Sequence, residues 1–376
     1  GSNTTGNTTG TGTLNLDGGT LATLRTITAG TVGASTVSFN GGTIKANGAI
    51  TSLLDTALTT VNVRNGGVVI DNNGFAIGIS RALNHSSING DNATDGGLTK
   101  NGLGILTLSG TGANTYTGVT LINAGELDLS KTAGLNAIAG AITLGSGTTA
   151  AILKLINSDQ IADTSLITLN GSGASAGILR LNNKNETIGG LISTGGAGIV
   201  ENEAGATGTA MLTVNVDSGS QTFSGILRNG DGTGTDGTLA LIKSGLGTLT
   251  LSGTNTYTGT TTINAGGLTL TGASTYAGAT TINSGTLIIG DGATSGSIAN
   301  TSGIVDNGTL TFDRTNDITV GQVISGTGHV TQNGSGSVTL TGENTYQGTT
   351  TITSGTLVVG DGAGNGSIAT TSDIVD

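Results

Sequence analysis

The sequence predicts an all-β protein, a parallel β-helix or β-solenoid of roughly 17–19 coils with almost no helix. Three observations carry that prediction. The chain repeats itself, residues 276–306 recurring as 346–376 with 22 of 31 positions identical. One Tyr-centred motif occurs four times, as Asn114-Thr115-Tyr116-Thr117-Gly118, Asn255-Thr256-Tyr257-Thr258-Gly259, Ser274-Thr275-Tyr276-Ala277-Gly278 and Asn344-Thr345-Tyr346-Gln347-Gly348, and it holds all four tyrosines. The composition is far from the globular average, with 70 glycines, no proline, cysteine or tryptophan, and only 9% charged residues. The apolar residues are mostly Val, Ile, Leu and Ala interleaved with Thr, which suits pleated strands, while Gly serves the bends. A unit that cannot close a core alone must bury its apolar face against copies of itself.

From the N-terminus, Gly1-Ser2 and the Asn/Thr/Gly run through Gly10 read as a cloning remnant and a polar lead-in to an excised fragment. The Gly-Gly pairs at Gly18-Gly19, Gly41-Gly42 and Gly66-Gly67 follow at nearly even spacing, each step about the length of one coil. Ile50, Leu53, Leu54, Ala57 and Leu58 have helical spacing, consistent with a short helix on a loop or a coil with extra apolar residues. The longest form of the repeat runs over 98–110, the Tyr116 motif and 120–129. In it Leu106/Leu108, Thr120/Ile122 and Leu127/Leu129 sit two apart, so each pair shares one face of a strand. This form returns at 241–270 and, more loosely, at 330–359.

Short strands separated by Asn-Gly, Asp-Gly and Gly-Gly bends fit hairpins or solenoid corners. The short step from Tyr257 to Tyr276 favours the solenoid, because it matches one three-sided coil. The chain thus reads as one array over 1–376, clearest at 97–130 and 240–376. Less regular coils cover 135–229, where Ser158-Asp159-Gln160 and Asn182-Asn183-Lys184-Asn185-Glu186 are the candidate partner loops.

The net charge of −11 is spread singly and no basic patch exists, which argues against nucleic acid as a partner. No stretch approaches 18 continuous apolar residues, so this segment is not expected to insert in a membrane, and no signal peptide is evident. Each Tyr is either a stacking platform for carbohydrate or a structural residue covering the core at a corner, with the Asn or Ser two residues earlier making a turn bond. The structural reading makes Tyr116, Tyr257, Tyr276 and Tyr346, with Gly118, Gly259, Gly278 and Gly348, the framework of the repeat.

Asp91 with Asp95, Asp231 with Asp236, Asp291 and Asp361 lie in Asp-Gly-type loops. Calcium needs six to eight converging oxygens, so turn chemistry is expected and neither metal nor cofactor. For catalysis, His85 and His329 lie in unrelated contexts. Glu201/Glu203 and Asp313/Asp317, with Arg228 or Arg314, would have to converge, and isolated solvated charges are the alternative. The threonine runs 260–262 and 349–351 suggest an ice-binding array but lack regular spacing.

The recurring pattern G-x-G-x-[LV]-T-L-[ST]-G-x-N-T-Y-x-G-x-T-x-[IV]-x-x-G-x-L, seen at 245–268 and 334–357, resembles the autotransporter-associated β-strand repeat, also called the passenger-associated transport repeat. That resemblance implies a right-handed parallel β-helix in the secreted passenger of a Gram-negative autotransporter or a related giant surface protein. It also implies a non-enzymatic adhesin-type stalk or fibre at the cell surface, with glycans or proteins of host or neighbouring cells as partners. A carbohydrate-binding or carbohydrate-active β-helix is the alternative. The sequence at 372–376 matches 302–306, which continues into further strand residues, so the end reads as an open coil able to associate end to end with a second copy.

Overall fold

The computed structural model describes residues 11–29, 33–145, 148–171, 173–194, 198–203, 205, 207–232, 236–298, 302–369 and 373–376. The polar lead-in and Ser372 lie outside the described residues. Two compact units divide the chain, Gly1–Arg180 and Leu181–Asp376.

In the first unit, short strands separated by glycine bends stack into three parallel sheets. One holds Gly12–Leu16, Ser35–Phe39, Thr60–Val63 and Asn84–His85. The second runs from Thr20–Thr23 through Thr43–Ala46, Val68–Asp71, Leu98–Asn101, Thr120–Ile122 and Ile142–Leu144 to Leu166–Leu169. The third holds Ile77–Ile79, Ile105–Gly110, Gly125–Lys131, Ala151–Leu155 and Gly177–Arg180.

The alternation read from the sequence is what packs the core. Leu106, Leu127, Leu153 and Leu179 form one buried column and Leu108, Leu129 and Leu155 the next, residue upon residue. The segment with helical spacing is not a helix. Ile50 and Leu54 make single parallel bridges to Ile77 and Ile27, and Leu53 and Leu54 are buried, so the extra apolar residues fill the coil's third side. The one helical element among the described residues is the 3₁₀ turn Gly173–Ser175.

The second unit repeats this plan. One sheet runs through Glu186–Ile188, Thr209–Asn215, Thr238–Ser244, Thr261–Ile263, Thr280–Ile282, Ile304–Asp306 and Ile324–Ser325. Another runs through Ser220–Phe223, Thr248–Leu251, Gly267–Leu270, Thr286–Ala293, Thr309–Arg314, His329–Gln332, Thr350–Ile352 and Ile374–Val375. Ile318–Val320, Ser337–Leu340 and Thr356–Val359 make a third, and Ile199–Glu201 pairs with Ile226–Arg228. Leu249, Leu268, Leu287, Leu310 and Val330 form a continuous interior column.

The near-identical copies do not occupy the same side. Thr280–Ile282 belongs to the first sheet of this unit, whereas its counterpart in the later copy, Thr350–Ile352, belongs to the second. Likewise Thr286–Ala293 lies in the second sheet and its counterpart Thr356–Val359 in the third.

Each unit is therefore an all-parallel β-solenoid, with about 15 turns between them, fewer than the sequence suggests. The corners explain the difference. Thr261 sits beside Thr280, a short step along the chain, but Val69 sits beside Thr99, a clearly longer one, because the intervening chain holds extra loop residues. Rung register survives because loops lengthen outside the ladder.

Candidate functional site

The repeated Tyr motif lies inside the solenoid. All four rings are at most 1% exposed, so none presents a face to a sugar. Each hydroxyl bonds the Oγ1 of the threonine four residues on, Tyr116 to Thr120 at 2.7 Å, Tyr257 to Thr261 at 2.6 Å, Tyr276 to Thr280 at 3.0 Å and Tyr346 to Thr350 at 2.7 Å. Those threonines take inward strand positions and are themselves buried. A buried phenol needs a partner, and the threonine supplies it without charge. Burial raises the pKa of each, Tyr276 to about 12, so the hydroxyls remain neutral at any physiological pH. Tyr257 and Tyr276 stack with centroids 5.1 Å apart and planes 2° from parallel.

The residue two before each Tyr does more than close a local turn. Asn114 accepts the Leu83 N–H and donates to the Ala137 carbonyl, so one amide ties the coil before to the coil after. Asn344 does the same with the Ile324 N–H and the Ser367 carbonyl, and also donates to Gly342. Asn255 accepts the Leu227 N–H and reaches Ser274 in the next coil.

The motif glycines are needed for close approach and not for unusual φ. None of the four has positive φ, but a Cβ on Gly278 would meet the Gly259 carbonyl oxygen at 1.9 Å, and one on Gly348 would meet that of Gly328 at 2.1 Å. A Cβ on Gly259 would meet the Leu239 oxygen at 2.2 Å, and one on Gly118 that of Asp95 at 2.3 Å.

Three buried lysines went unread in the sequence. Lys100 sits at an inward position between Ile70 and Ile122, and its Nζ donates to the carbonyls of Gly102 at 2.7 Å, Ala124 at 2.9 Å and Asn101 at 3.3 Å. Lys243, between Val214 and Ile263, donates in the same way to Ser244, Gly245 and Ala265. In the third copy Gln332 takes this place, its Nε2 donating to Gly334 and Gly336 at 2.8 Å each. Lys131 donates to the Ser109 carbonyl. Burial pushes all three lysine amines down to about 8, while the carbonyls around them favour the ammonium form. The readable signal was the recurrence of Lys, Lys and Gln at one repeat position before Gly-x-Gly.

The candidate acids do not converge. Glu201 is buried and paired to Arg228, its register neighbour, at 2.7 Å. Asp317 accepts the Ser337 N–H, and Arg314 holds the Thr294 carbonyl and Asn316. Arg64 grips Asp91 through Nε and Nη2, which holds that carboxyl below its usual range. His85 Nδ1 lies 2.8 Å from Asp95 Oδ2. Burial works against the Asp95 carboxylate, but the N–H groups of Thr117, Gly118 and Gly97, together with His85, outweigh it and keep its pKa low. His329 accepts the Thr349 N–H far along the chain from His85.

In the Asp-Gly loops the carboxylates serve turns. Asp361 accepts the N–H groups of Ala363 and Asn365 and the Asn365 side-chain amide, and Asp236 accepts the Gly232 N–H. Gly290 and Gly292 take φ of 103° and 80° in a bulge that shifts the register of Thr286–Ala293 against Thr309–Arg314. Within the expected partner loops Gln160 and Glu186 are buried, whereas Asp159 and Asn185 are exposed. Gln160 is buried and bonds the Lys131 N–H, while Asn183 and Asn202 exchange two hydrogen bonds.

The family model of the passenger-associated-transport-repeat matches residues 98–129, 241–269, 265–289 and 330–359. No curated protein and no solved structure matches the chain.

Proposed function

We propose that this chain, which carries the passenger-associated-transport repeat in four places and folds as a parallel β-solenoid of the kind that fits an autotransporter passenger, is a non-enzymatic structural segment of a secreted adhesin-type stalk or fibre at the outer surface of a Gram-negative bacterium. One observation supports this reading above the rest. The side chains that distinguish the repeat, Tyr, Asn, Thr and Lys or Gln, spend their polar groups inside the solenoid, the Tyr–Thr pairs within a coil and the Asn amides between neighbouring coils. Residues selected for a ligand would face outward. Surface glycans or proteins of host and neighbouring cells are the partners proposed for the outer faces.

Tyr257→Ala tests the reading. Removing a buried, stacked ring should cost on the order of 3 kcal/mol, with the loss falling on adjoining coils as faster amide exchange over 249–270. Binding of the parent protein to a panel of cell-surface glycans should survive the substitution. Unchanged exchange with lost glycan binding would overturn the structural role.

A further inference from the structure

We propose that Lys100 and Asn72 form an intramolecular isopeptide bond that covalently staples two neighbouring coils of the first unit. Asn72 directly follows Val68–Asp71, the strand that pairs with Leu98–Asn101, so the two side chains come from successive turns and meet inside the stack. Both residues are fully buried, and Lys100 Nζ lies 3.4 Å from Asn72 Oδ1.

Three features prepare the amide for attack. Its oxygen accepts the Gly104 N–H at 3.2 Å, a fixed backbone donor where negative charge develops as the carbonyl carbon becomes tetrahedral. Its Nδ2 is buried without a hydrogen-bond partner among the described residues, so its departure removes an unpaired donor from the interior. The amine is desolvated, which favours the neutral, nucleophilic form. The step is balanced without a co-reactant. The Nζ–Cγ bond forms, the Cγ–Nδ2 bond breaks, and the proton given up by Nζ leaves on Nδ2 as ammonia.

The second unit contains its own control. Lys243 occupies a similar carbonyl cage, but the residue placed as Asn72 is to Lys100, two beyond the register partner Val214, is Val216. No amide is present there to be attacked, so the Lys243 site should not cross-link.

Intact-mass measurement of the whole purified chain, followed by tryptic mapping, decides the matter. The expected mass is one ammonia below that of the sequence. The map should show peptide 65–81 joined to an 82–131 peptide uncut at Lys100, while cleavage after Lys243 proceeds. Lys100→Arg should carry the full mass. A parent chain of full sequence mass that releases 101–131 as a free linear peptide would overturn the proposal, as would an ammonia loss that persists in Lys100→Arg.

Discussion

Lys243 and Gln332 are two answers to one requirement. The Gly-x-Gly corner turns its carbonyls toward the interior, and an inward side chain with several N–H groups must meet them. Lys243→Gln is therefore expected to cost less than about 1 kcal/mol, whereas Lys243→Leu, which takes the donor from the Gly245 and Ala265 carbonyls while Ser244 keeps the Val216 N–H, should cost about 3 kcal/mol; urea unfolding of both variants checks the difference. Asp306 is the opposite case. It takes an inward position beside Ile282, its Oδ2 has no partner among the described residues, and burial raises its pKa from 3.8 to about 6. Between those two values the folded chain keeps a proton that the unfolded chain has released. Stability should thus fall as pH rises through that window, by up to about 3 kcal/mol for this group. Asp306→Asn should flatten that part of the profile in denaturation series from pH 4 to 7, and identical slopes for parent and variant would refute the assignment. The burial of the Tyr rings was legible in their fixed place within the repeat. The lysines were legible only as a recurring position, because a charge at an inward strand position reads as solvated until the corner carbonyls that receive it are seen.

At the scale of the element, the strands were legible because alternation marks the inward face, as with Leu106/Leu108 and Leu127/Leu129. The glycines divide into two kinds that sequence cannot separate. Gly278 lies against the backbone of the coil beneath, with no room for a Cβ, whereas Gly362 has φ of 75° and open space around it. Gly278→Ala should cost at least about 2 kcal/mol through a backbone clash. Gly362→Ala should cost about 1 kcal/mol, the left-handed strain alone. Chemical denaturation midpoints compare them, and equal losses would show that close approach is not what Gly278 provides. The candidate partner segments hold residues of both kinds at this scale, buried and exposed. Gln160 and Asn183 look like polar loop residues, yet they use their amides on neighbouring coils. Polarity alone does not say which way a corner side chain turns.

At the scale of the whole molecule, the parallel solenoid was legible from the repeat, and the number of turns was not. Corner loops add residues without adding rungs, so dividing length by the shortest period overcounts. The displacement of Thr350–Ile352 to a different sheet from Thr280–Ile282 makes a further prediction. A chain with residues 276–345 duplicated in tandem should show unchanged β-sheet circular dichroism per residue and a similar melting temperature; a loss of signal in proportion to the insert would mean that the sides are not equivalent. If they are, the period of the gene and the period of the coil are free of one another. Unequal recombination between the near-identical segments then adds residues without regard to phase, and each added copy carries its outward residues one side further round the axis. After three such events the same surface chemistry would face every direction, so a solenoid of this kind could grow by inheritance alone and still present one exterior on all its sides.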